Sequence, residues 1–252
     1  MSDDYSREAY LEEAIVQPPA RRGDKRPIPP WVIMAATGPD LQRLRQGLSL
    51  TEDRGERLFL SRIYQAADAA PYCLVGPFMG APQAAMLMET LAAWGGGHFL
   101  FVGWCGAVDP QLQTGDILLP TSAFVDEGTS RSYSGETEQV YLPPGNLHET
   151  VKVLLKEKDV PFHEGAVWST DAVFRETPSK VRAFQAQGAL AVEMEISACL
   201  TVARLRKVPF AALLVVSDEL SDLKWRPGFS DPRFKQACKA VSQTIETLCQ
   251  TL

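Results

Sequence analysis

The sequence predicts an α/β fold with a largely parallel sheet between helical layers. Short apolar runs of strand length recur along the chain, stretches with apolar spacing of three and four separate them, and the runs end in glycine or a polar residue. Strands buried on both faces need nearly continuous apolar sequence, and a parallel neighbour needs a crossover long enough to hold a helix.

Taken in order, residues 1–30 are expected to form an extended arm, because PPARRGDKRPIPP combines prolines with clustered charge. One domain is expected over residues 31–252. Its strands are read in VIMAATG, YCLVG, HFLFVG, DILLP and FAALLVVSD. PQAAMLMETLAAW from Pro82 and NLHETVKVLLKEK after Asn146 have helical spacing, with Asn146 as N-cap. The segment ALAVEMEISACLTVARLRKVPF reads as strand, helix and strand start: Arg204, Arg206 and Lys207 suit the negative end of the helix, and Pro209 stops it. A last helix over about Pro232 to Leu248 carries Phe234, Ala237, Val241, Ile245 and Leu248 on one face.

Composition narrows the class of function. Of 252 residues 45% are hydrophobic and 22% charged, and no apolar run reaches the roughly 18 residues of a membrane span. A formal charge of −6 from intermixed acids and bases offers no cationic surface for nucleic acid. The five cysteines are scattered without a C-x-x-C spacing, and the acidic start MSDDYSREAYLEEAIVQ lacks a signal-peptide pattern, so a reduced, cytoplasmic setting is expected. The three histidines, His98, His148 and His163, lack ligand spacing, and no metal is expected.

Ligands of such folds bind beyond the carboxyl ends of the strands, which directs attention to the residues just after each apolar run. Glu193 and Glu195 are two apart, so an extended segment would point both carboxylates to one side, where they could hold a vicinal diol. The alternative is that Glu195 simply suits the first turn of a helix. Asp218 follows the apolar run 210–216 and Ser217, at the mouth of a buried strand. A carboxyl group there can serve as general acid toward a leaving group, or as a turn or capping residue.

The segment VEMEISACLTVARLRKVPFAALLVVSD resembles the signature region of the nucleoside phosphorylase family, which includes purine nucleoside phosphorylases, uridine phosphorylases and related nucleosidases. The resemblance runs from about Trp31 to the C-terminus and includes FMGAP, VGWCGAVDPQLQTGDILL and STDAVF. It implies a three-layer αβα architecture with a mixed, largely parallel central sheet and cleavage of an N-glycosidic bond. By the same resemblance Glu195 holds the ribose hydroxyls, Met194 packs under the sugar and Glu193 lines that pocket. Asp218 would protonate or hydrogen-bond N7 of a purine, with Thr170, Phe174 and Ser217 around the base. Uridine phosphorylases carry a glutamine soon after this base-pocket strand and an arginine where this chain has Asp218, so a purine-type base is expected. The resemblance also implies a homo-oligomer, dimer-based or hexameric, and no cofactor beyond phosphate as co-substrate.

Phosphate is the expected acceptor, yet its site departs from the family pattern. The strand arginine is replaced by Phe101 and the turn serine or threonine by Trp104. The early loop TGPDLQR keeps Gly38 but has Leu41 where the arginine is expected. The residues left to form an anion region are Gly38, Arg43, Arg57, Gly103 and Trp104, and the basic arm with Arg21, Arg22, Lys25 and Arg26 could reach a neighbouring site. Phosphorolysis, hydrolysis by water, and a silent nucleoside-binding protein stay open as readings.

Overall fold

The apolar runs form strands at the centre of an α/β structure, known here as a computed structural model that describes residues 12–21, 27–51, 55–66, 70–135 and 138–252. The strands are β1 (Trp31–Ala35), β2 (Glu56–Leu58), β3 (Ser61–Gln65), β4 (Tyr72–Gly76), β5 (His98–Ala107), β6 (Ile117–Asp126), β7 (Gln139–Tyr141), β8 (His163–Thr170), β9 (Ala189–Glu193), β10 (Phe210–Glu219) and β11 (Arg226–Pro227). The helices are α1 (Gly38–Gly47), α2 (Ala81–Ala93), α3 (Gly128–Ser134), α4 (Leu147–Glu157), α5 (Pro178–Ala186), α6 (Ile196–Arg206) and α7 (Pro232–Thr251).

The sheet runs in the order β11-β10-β6-β8-β9-β5-β1-β4-β3-β2, and β10 also pairs with β5. That extra pairing closes β5, β10, β6, β8 and β9 on themselves, while β1, β4, β3 and β2 extend as an open wing. The sheet is mixed: the long ladders β5–β10 and β6–β8 are parallel, whereas β5–β9, β6–β10 and β3–β4 are antiparallel. Continuous apolar sequence follows from burial on both faces, since Phe99, Phe101 and Cys105 belong to one core and Leu100 and Val102 to the other.

Closure sets the site. Gly106 lies opposite both Asp218 on β10 and Val192 on β9, and Glu193 lies opposite Ser169 on β8. The strand ends singled out in the sequence thus share one row of the closed sheet. A bulge between Val216 and Asp218 shifts the register at Ser217, which aims the aspartate independently of the alternation below it.

Three local expectations are refined. The STDAVF segment stops being a strand at Thr170 and continues into a single 3₁₀ turn, Val173–Arg175. Asn146 stands at the N-cap of α4 but its side chain makes no capping bond. The last helix begins where expected, with the Asp231 side chain accepting from the Arg233 amide at 2.7 Å, and runs on to Thr251.

The described residues of the arm carry no helix or strand and dock at the end of the sheet remote from this row. Trp94 donates its indole N–H to Pro19 O at 2.8 Å, Arg21 lies over the Trp94 ring and pairs with Glu56 at 3.3 Å, and Ile28 is buried. Arg22, Lys25 and Arg26 lie outside the described residues. Among the described residues no helix is long and apolar enough to cross a membrane.

Candidate active site

A cavity of about 510 Å³ opens at the row of strand ends, within the size range of small-molecule sites. Asp218, Ser217, Phe174, Met194, Glu193 and Trp104 contribute to its wall, so the structure gathers residues from β5, β9, β10 and the 3₁₀ turn. Phe174 is 96% exposed at the rim, a ring available to cover a ligand.

Asp218 is held from two sides. The Ser217 hydroxyl lies 2.6 Å from Asp218 Oδ1 and 3.2 Å from Cys105 O and can donate to one of them at a time, while the Trp225 indole N–H donates to Asp218 Oδ2 at 2.9 Å. Trp225 itself is 67% exposed, so this second donor sits at the solvent edge. Gly106 is needed beneath the carboxylate: a Cβ there would stand 3.1 Å from Asp218 Oδ2 and 2.8 Å from a Leu220 methyl.

The two glutamates do not share one task. Glu193 Oε2 accepts from the amides of Glu195 at 2.6 Å and Ile196 at 2.7 Å, capping α6, and the Ser169 hydroxyl donates to Glu193 Oε1. Ser169 in turn accepts from the Ser197 amide at 2.9 Å, and the Ser197 hydroxyl donates to Glu127 Oε1 at 3.0 Å. Glu193 therefore contributes to the wall but spends its oxygens on backbone and serine. The residue two positions on turns at the helix start, so the same-side geometry of an extended pair does not arise.

Glu195 is the N-cap residue of α6 and points the other way. The Gly80 amide donates to its Oε1 at 2.5 Å, and Gly80, at φ +84°, is the N-cap of α2. The FMGAP turn thus positions a glutamate 115 residues later in the chain. One bond leaves a carboxylate most of its acceptor capacity. Burial raises the pKa of both glutamates, the Glu195 charge further raises that of Glu193, and the backbone amides act against the rise in each.

Glu176 is a wall residue that the sequence did not single out. It follows the 3₁₀ turn, and burial, with the Asp218 charge adding to it, pushes its pKa to about 7. No linear pattern marks it, because its partner Asp218 comes from the far end of β10.

Other expected site residues lie elsewhere. Thr170 is buried and its hydroxyl donates to Asp126 Oδ2 at 3.3 Å, in a cluster where Lys180 reaches the same oxygen at 2.6 Å. Arg57 is exposed on β2, at the far edge of the sheet, with its Nε–H on Phe59 O at 3.3 Å. Gly38 opens α1 behind the Thr37 cap, and Arg43 pairs with Asp40 at 2.7 Å. A Cβ on Gly103 would stand 2.8 Å from the Phe101 ring, so that glycine serves packing. His148, Glu149 and Glu164 converge where α4 meets the start of β8, a grouping that residue spacing had not suggested. There the Lys152 ammonium lies 2.7 Å from Glu164, and this is the opposite end of β8 from the cavity.

Residues 30–252 match the model of the Phosphorylase superfamily, and the chain belongs to that superfamily. It is 28% identical over 196 residues to a guanosine phosphorylase of Halorubrum lacusprofundi, covering 74% of this chain and 79% of that protein. It is also 28% identical to a DeoD-type purine nucleoside phosphorylase of Brevibacillus brevis, over 58% of this chain and 62% of that one, so the match spans under two thirds of that relative. The 5'-methylthioadenosine/S-adenosyl homocysteine nucleosidase of Campylobacter jejuni has the same fold, with a TM-score of 0.73 at 20% identity over 88% of this chain and 98% of that one.

Proposed function

We propose that the chain cleaves the N-glycosidic bond of a purine nucleoside with a 6-oxo base, of the guanosine or inosine type. The observation that carries this reading is the cavity in which Asp218 and Glu176 stand together beside the exposed Phe174 ring, with the Met194 turn in the same wall. As the C1′–N9 bond breaks, its electron pair enters the purine ring and the sugar becomes oxocarbenium-like. A carboxyl group that protonates or hydrogen-bonds N7 stabilises the departing base, which is the role of Asp218. Glu195 takes the ribose hydroxyls, Met194 packs under the sugar, and Glu193 holds the turn that presents both. Glu176, when ionised, accepts the N1–H and amino protons of guanine. Adenine presents a lone pair at N1 and is repelled by the same oxygen. The guanosine phosphorylase among the relatives supports this choice of base.

Guanosine, inosine, adenosine and uridine, each incubated with the full chain, test the proposal by chromatography of the released base. Guanosine and inosine are expected to react at least about 10-fold faster than adenosine, the factor that one unsatisfied buried polar contact of about 1–3 kcal/mol gives. Absence of base release from all four overturns it.

We also propose that the protein works in the cytoplasm as a homo-oligomer. Five free, buried cysteines support a reducing compartment, and the exposed Leu60 and Met79, which flank the Ser61–Gln83 contact, support a covered surface. Light scattering that gives a monomer mass at micromolar concentration contradicts the second part.

A further inference from the structure

The start of α1 follows β1 at the carboxyl end of the sheet, one strand from the cavity wall. A helix N-terminus in that place offers free amides and a positive dipole end, and is where such a fold takes an anion. Here the place is already filled from within the chain. Asp40, 2% exposed, receives the Thr37 hydroxyl at 2.8 Å on Oδ2 and Arg43 Nη1 at 2.7 Å on Oδ1, while Thr37 Oγ1 accepts the Asp40 amide at 3.2 Å. The carboxylate and the guanidinium cancel, so this helix start has no net positive side chain to offer a second anion. Burial raises the Asp40 pKa, and Thr37, Arg43 and the Trp104 indole act against that rise.

An independent feature closes the approach from the cavity. Trp104 stands in the cavity wall with its ring edge-on to Phe234 at 5.1 Å and tilted against Phe229 at 6.0 Å. Its indole N–H is buried on the Asp40 side, with no bond of normal geometry to any described residue. Phe101, where a strand cation would have met an anion, is in the core against Phe78.

We infer that Asp40 acts as a built-in anion which, with Trp104 as the wall in front of it, makes the reaction independent of phosphate, so that water is the acceptor. This rests on the glycosidic cleavage proposed above, and it departs from the expectation of phosphate drawn from the sequence. In the balanced step the C1′–N9 bond breaks and its electron pair leaves with the base. The water oxygen bonds to C1′ and one water proton stays on the new hydroxyl. The other leaves to solvent while the base gains one through the Asp218 contact. Nucleoside and water give free base and free ribose, with no oxidant, reductant or cofactor.

The test is base release from guanosine by phosphate-free full chain, with and without about 50 mM inorganic phosphate, with ribose and ribose 1-phosphate assayed separately. The inference predicts rates equal within about 2-fold and free ribose as the only sugar product. Release that requires phosphate, or ribose 1-phosphate as product, overturns it and leaves the glycosidic cleavage standing. Absence of release under both conditions overturns the cleavage on which it rests. A second measurement needs no turnover. Phosphate is expected to leave the Tm of the wild-type chain unchanged, and to raise that of Asp40→Asn, whose Arg43 lacks its partner, in a saturable way by about 2 °C or more. A saturable rise in the wild type overturns the inference.

Discussion

Replacing Glu193 separates a residue that holds the site from one that meets the substrate. In Glu193→Ala the amides of Glu195 and Ile196 and the Ser169 hydroxyl lose their acceptor in a site that is 5% exposed. Each orphaned buried donor costs about 1–3 kcal/mol, and relief from holding a desolvated charge offsets part of this, leaving a loss of roughly 3 kcal/mol. For a chain of this length that is a fall in Tm of roughly 6–12 °C. Glu193→Gln keeps an oxygen for the two amides and removes the charge. Because the folded pKa of Glu193 is raised above 4.5, its protonated form contributes stability that is present below pH 4.5 and lost as pH rises through the folded value. The glutamine variant has no such loss, so its Tm relative to wild type is expected to rise between pH 5 and pH 9. The assay is thermal unfolding at several pH values beside guanosine kinetics, with KM in Glu193→Gln within about 5-fold of wild type. A variant with unchanged Tm and a KM raised 100-fold would show that the carboxylate touches the sugar, and would refute the assignment.

Further outcomes follow from the same wall. Glu176→Gln is expected to lower kcat/KM for guanosine by about 10²-fold and to raise it for adenosine, whose N1 then meets an amide donor instead of a carboxylate oxygen. In the wild type, guanosine turnover should climb as pH rises through about 7, where the carboxylate forms; a flat profile between pH 6 and pH 8 contradicts that. Stability runs the opposite way, since a raised carboxyl pKa contributes stability below pH 4.5 that is lost by about 7. Gly106→Ala is expected to fold, because the Leu220 methyl at 2.8 Å can turn away. The added methyl pushes Asp218 Oδ2 from its 3.1 Å approach, and kcat should fall about 10-fold; unchanged kcat with unchanged Tm argues against a placed carboxylate.

Much of this was legible in the sequence for physical reasons. Strands buried on both faces must be apolar throughout, so β1, β4, β5 and β10 stand out, and a carboxylate one residue beyond such a run, Asp218, has to lie at a strand mouth. The short strands β2, β3 and β7 carry mixed sequence and passed unnoticed. What pairing decides was also hidden. The closure through β5–β10, the bulge at Ser217 and the bond from Gly80 to Glu195 join residues far apart in the chain. Glu193 and Glu195 look like one pair because spacing alone does not reveal that the strand ends at the first and the second is already the N-cap of α6. Nothing in the run TGPDLQR gives Asp40 a role of its own. Only the folded helix start makes it the partner of Thr37 and Arg43.

The most direct test of the account is the single-turnover rate of guanine release from guanosine by wild type and Asp218→Asn, each at saturating enzyme. Release by Asp218→Asn is expected to be slower by about 10²–10⁴-fold, with guanosine affinity changed far less. Equal rates in the two proteins would contradict it.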